Sequence, residues 1–168
     1  MDERATFESA GVVRFERLLP GPIERVWAHL TDTKLIPAWY GENGSIEPRA
    51  GGAVRLMDGH IRGVVTQWRP PHHLAYTWSV FEPSDPADAV SEHPDSYLTF
   101  TLEPHGAQVR LVLTHTPIPA RFEKQTAMGW HTMLDLVAHA LDGKHPARAD
   151  FMQKNAALYG VDLQNLAR

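Results

Sequence analysis

At 168 residues, 43% of them apolar, the chain is long enough for one domain with a real core. A formal charge of −4 without a run of like charges argues against nucleic-acid or anionic-membrane partners, and the lack of cysteine excludes disulfides, thiolate metal sites and a cysteine nucleophile. The acidic N-terminus has no apolar core of the signal-peptide kind, and no stretch nears the ~20 apolar residues that span a bilayer, so the cytoplasm is the default location and no membrane span is expected.

Residues 1–10 read as a flexible leader. Gly11 to Leu19 reads as a strand with Val13, Phe15 and Leu19 on one face and Arg17 interrupting the apolar row. Pro20-Gly21-Pro22 is a turn, and Ile23, Val26, Trp27 and Leu30 follow at helical spacing. Thr31-Asp32 ends that helix and caps a second short one near Ala38-Trp39-Tyr40. The pattern then changes to short strands. Ala53 to Met57 and His60 to Trp68 flank the hairpin signal Asp58-Gly59. His73 to Phe81 alternates, with Leu74, Tyr76, Trp78 and Val80 sharing a face. Glu82 to Asp95 carries three prolines, several acids and no apolar period, and is expected to be a long mobile hairpin loop.

Ser96 to Glu103 and Ala107 to Thr116 form the last hairpin, with Leu98, Phe100 and Leu102 on one face of the first strand and Val109, Leu111, Leu113 and His115 on one face of the second. Ala120 to Leu141 is then the longest amphipathic stretch: Phe122, Thr126, Trp130, Met133, Leu134, Val137 and Leu141 recur at three- and four-residue steps, and Gly143 follows where a left-handed cap is common. At ~1.5 Å per residue such a helix is ~33 Å long, enough to cross a small domain. Residues 144–168 read as an extension with a short helix from Ala149 to Tyr159. The fold class is therefore α+β: a curved antiparallel sheet wrapped around a long C-terminal helix, with two short helices after the first strand. The wedge between sheet and helix is the natural place for a cavity.

Several stretches in this order resemble the helix-grip START superfamily, also called SRPBCC, and within it the branch of proteins like the activator of the heat-shock protein 90 ATPase. The run Arg17 to Trp27 is similar to the family's strand-into-helix opening, Leu30-Thr31-Asp32 with Trp39 to its Thr-Asp-plus-Trp signature, and Leu113-Thr114-His115 to the end of its last hairpin. Gly129-Trp130 with Leu134, Leu141 and Gly143 resembles its closing helix. The resemblance covers residues 11–143; the Glu82 to Asp95 loop and the tail after Gly143 depart from the pattern. It implies a helix-grip domain, and for function either a ligand cavity, a cyclase- or dehydratase-like enzyme using that cavity, or a chaperone partner whose ATPase is stimulated in a stress response.

The residues expected at such a cavity are the aromatics Trp39, Tyr76, Trp78, Phe100 and Trp130, with Arg17 and His115 as its polar groups. His115 continues the buried row of its strand, so parity points it under the helix. Its bland reading is a core histidine bonded to a neighbour; its functional reading is a group that orients a ligand. The same choice applies to Arg17, which must be paired, solvated or ligand-facing. His131, Asp135 and His139 are spaced by four along the long helix, but lie roughly 100°, 140° and 180° from Trp130 at ~100° per residue, and are expected to face water rather than hold a metal. No nucleophile elbow, His-Glu-x-x-His helix or glycine-rich phosphate loop is present, so no catalytic residue, cofactor or metal is assigned. The expected partner is a small apolar or aromatic ligand; a homodimer and a chaperone remain open.

Overall fold

A computed structural model describes residues 2–92 and 95–167. Seven strands form one antiparallel sheet: β1 (Val13–Pro20), β2 (Ser45–Ile46), β3 (Ala53–Leu56), β4 (Ile61–Arg69), β5 (His73–Val80), β6 (Ser96–His105) and β7 (Gln108–Thr116), in the order β1-β7-β6-β5-β4-β3-β2. Helices α1 (Ile23–Thr31) and α2 (Pro37–Tyr40) follow β1, and α3 (Glu123–Leu141) follows a 3-10 turn at Ala120–Phe122. A last helix, α4 (Arg148–Tyr159), packs on α3. The chain is thus a helix-grip α+β fold, with a curved sheet closed by the long helix.

The period-two alternation of the strands sets the inner face. Val13, Phe15, Arg17 and Leu19 of β1 are buried, as are Val109, Leu111, Leu113 and His115 of β7 and Ser96, Leu98, Phe100 and Leu102 of β6. The register pairs Leu98 with His115 and Trp78 with Ser96. Ser96 lies two residues from Leu98, so it is the diagonal same-face neighbour of His115. Gly63 of β4 allows β5 to come close, since a Cβ there would sit 1.9 Å from the carbonyl oxygen of Thr77.

Two expectations change. His131 and Asp135 are buried rather than solvent-facing, because α4 covers that side of α3; His131 is 3% exposed. The segment after β5 is also less independent than its composition implies. The Arg62 guanidinium stacks on the Phe81 ring and donates to the carbonyls of Gly59, Glu82, Asp85 and Pro86, tying residues 82–86 to β4. Residues 93 and 94 of the expected loop lie outside the described residues, as do residue 1 of the leader and residue 168 of the extension. In the leader, Thr6 bridges to Arg14, and the Ala5 amide donates to the Tyr159 hydroxyl at 2.8 Å.

Candidate functional site

The inner face of β5 runs from core to surface. Leu74 and Tyr76 are buried, Trp78 is half-buried and Val80 is exposed. The apolar face of α3 does the same in reverse: Trp130, Leu134 and Val137 are buried, while Thr126 and the preceding Phe122 are half-buried. Where the two half-buried ends meet, a cavity of about 270 Å³ opens beside the ends of β6 and β7. Trp78, Val80, Ile118, Phe122 and the prolines 117 and 119 give it apolar walls; Ser96, His115, Gln125 and Thr126 are its polar side chains, and Ala167 also borders it. Among the described residues, no Asp, Glu, Lys or Arg lines it.

Its polar end has a determinate hydrogen-bond order. The Trp130 indole N–H donates to Nδ1 of His115 at 3.0 Å. An indole nitrogen can only donate, so Nδ1 accepts and the neutral ring carries its proton on Nε2. Nε2 is 2.7 Å from the Ser96 hydroxyl oxygen and therefore donates to it. Ser96 in turn donates to the Trp78 carbonyl at 3.4 Å, a stretched bond for a hydroxyl. Burial pushes His115 down to about 3, so the ring stays neutral near pH 7. A serine nucleophile would require an unprotonated Nε2 to take its proton; here Nε2 is the protonated nitrogen, so the pair is a relay rather than a nucleophile and its base.

Of the residues expected at a cavity, Trp78 and His115 line this one. Trp130 is not in the lining: it is 1% exposed and packs behind it, with ring centroids of Trp78 at 5.4 Å and Phe100 at 5.8 Å. Trp39, Tyr76 and Phe100 lie deeper. The Trp39 indole donates to the His29 carbonyl at 2.6 Å, and the Tyr76 and Tyr40 hydroxyls bond each other at 2.9 Å. Arg17 is not at the cavity. Its guanidinium bonds Asp135 of α3 at 3.0 Å and the Glu3 carbonyl at 2.9 Å, at the edge of a separate cleft bordered by His139, Phe151 and Lys154. Ser96 continues the Leu98–Phe100–Leu102 row by parity, and that row was the signal that could have found it. Pro117-Ile118-Pro119 carried no such signal, since it reads only as a connector.

Glu3, His131 and Asp135 bring one ligand-type atom each within 4.8 Å of one another. Arg17 already occupies an Asp135 oxygen, and Nδ1 of His131 bonds the Tyr159 hydroxyl at 2.9 Å. A guanidinium in contact with the same carboxylate opposes a second cation, so the cluster reads as a structural network.

Comparison with known proteins adds lineage to this geometry. Residues 20–142 match the model of the family described as Activator of Hsp90 ATPase homolog 1-like protein. Over 115 residues the chain is 25% identical to the mouse (Mus musculus) activator of 90 kDa heat shock protein ATPase homolog 1, covering 68% of this chain and 32% of that protein. The chain thus spans about a third of the length of the curated relative it matches. Among solved structures, a Bordetella parapertussis protein determined by NMR is similar at TM-score 0.71 and 30% identity, covering 99% of this chain and 93% of that one. CalU16 from Micromonospora echinospora is similar at TM-score 0.70 and 21% identity, covering 89% and 85%, a likeness of fold.

Proposed function

The chain belongs to the family of activator of Hsp90 ATPase homolog 1-like proteins, and from that premise we propose that it binds a small lipophilic or aromatic molecule in the cavity between β5, β6, β7 and the start of α3. The observation that carries this reading is a cavity with apolar walls, no charged side chain from the described residues in its lining, and a preorganised polar relay. Ligand sites are mainly apolar, with a few polar groups that fix orientation. Among the described residues the lining holds no carboxylate, and its histidine, His115, is kept neutral by burial, which favours binding over acid–base turnover at this site. The test is calorimetric titration with naphthalene-type compounds against the protein and a Thr126→Phe variant, which fills the cavity from α3. Saturable binding to the protein and none to the folded variant is expected; equal binding to both would move the ligand elsewhere.

A second reading, stimulation of a chaperone ATPase, rests on the family match and on the name of the mouse relative. It would use the outer surface. Added to a purified Hsp90-type chaperone, the protein would raise ATP hydrolysis, and Thr126→Phe would leave that effect unchanged.

A further inference from the structure

Resting on the ligand-binding reading, we propose that the cavity selects a neutral molecule with a hydrogen-bond acceptor, such as a ketone, quinone or ester carbonyl, and that the Ser96 hydroxyl is the group that receives it. Both ring nitrogens of His115 are already engaged, Nδ1 by Trp130 and Nε2 by Ser96. The imidazole therefore has no polar atom left for a ligand. Ser96 has one. Its oxygen accepts the Nε2 proton, and its own hydrogen has only the Trp78 carbonyl at 3.4 Å. That is the weakest link of the chain, and Ser96 lines the cavity. A carbonyl oxygen entering there meets a donor with almost nothing to give up.

The polarity of the relay strengthens that donor. Each group in the row gives its proton forward: indole to imidazole, imidazole to hydroxyl, hydroxyl to ligand. A hydroxyl that is accepting a bond is a better donor, because successive dipoles polarise one another in a low-dielectric site. Trp130 is thus a positioning residue that acts through His115. Its N–H fixes the tautomer, which fixes the direction of the Ser96 bond. Charge is selected against by the rest of the wall. Among the described residues no lysine or arginine lines the cavity, so a carboxylate ligand would lose its hydration without a counter-ion from them.

The test is calorimetry on the full chain with three compounds of one shape: acetylnaphthalene, isopropylnaphthalene and naphthoate. The ketone's affinity relative to the hydrocarbon should fall roughly 3- to 10-fold in Ser96→Ala, the worth of one hydrogen bond, while the hydrocarbon binds both proteins alike. Naphthoate should bind more weakly than the ketone. A ketone-to-hydrocarbon ratio unchanged by Ser96→Ala, or naphthoate as the tightest ligand, overturns this proposal and leaves the binding reading intact. No binding of any compound overturns both. A measurement needing no variant is the ring ¹⁵N spectrum of His115 at pH 7: protonated Nε2 and bare Nδ1 are expected, and the opposite tautomer contradicts the relay.

Discussion

His115 is where composition is least informative and geometry most. Parity alone places it on the inner face of β7, and the structure buries it to 2% exposure. Parity cannot say which nitrogen holds the proton. That depends on the Trp130 indole, 15 residues away, reaching Nδ1. Burial depresses the folded-state pKa to about 3, against an ordinary value near 6.5. Below 6.5 the unfolded chain binds a proton that the folded one does not. The histidine's contribution to stability is therefore intact above pH 6.5 and lost as pH falls toward 3, at about 1.4 kcal/mol per pH unit. Between pH 7 and pH 5 the protein should lose about 2 kcal/mol more than a His115→Gln variant, whose amide can serve the same two neighbours without titrating. Urea titrations of both at both pH values check this; parallel losses would mean that water reaches the ring. Trp130→Ala should cost about 3–5 kcal/mol, because it removes a buried aromatic and leaves Nδ1 without its donor. A loss below about 1 kcal/mol would mean that the helix face is misassigned.

At the scale of elements, strands and the long helix follow from periodicity, and their order was readable. The far side of α3 was not. The helical angles of His131 and Asp135 predicted a face turned to water, and they are correct as angles; α4 then covers that face. The apolar residues of Arg148–Tyr159 do not gather into one stripe, and a buried polar residue, Asn155, sits among them. Beside the packing of Phe151, Ala156 and Tyr159, α4 is held to α3 by hydrogen bonds: Asn155 to Thr132 at 3.1 Å and to Asp135 at 3.3 Å, and Tyr159 to His131. Arg17 belongs to the same network, and its partner lies 118 residues away. Arg17→Met should cost about 3–5 kcal/mol by stranding a buried carboxylate, measured by denaturant titration; a change under 1 kcal/mol would show the pair to be solvated. In the sheet, Gly63→Ala should cost about 1–3 kcal/mol or more, because its Cβ would meet backbone that has no room to yield. An unchanged melting curve would contradict the close approach of β4 and β5.

For the whole molecule, one helix gripped by one sheet explains both the core and the cavity. Each element carries its apolar row past the point where the other can cover it, and the uncovered ends face each other. The fold and two lining residues, Trp78 and His115, were legible because they sit on those rows. Tyr76 and Phe100 sit on the same rows but deeper, and Trp39 is buried from the short helix α2. Nothing in a period of two or 3.6 records where along a strand the core ends. No helix among the described residues is long and apolar enough to cross a membrane. The direct test of the central claim is an NMR titration of the ¹⁵N-labelled protein with acetylnaphthalene. The shift changes should be saturable and centred on Trp78, Ser96, Ile118, Phe122 and Thr126; changes centred on the Arg17–Phe151 cleft, or none up to the solubility limit, would contradict the account.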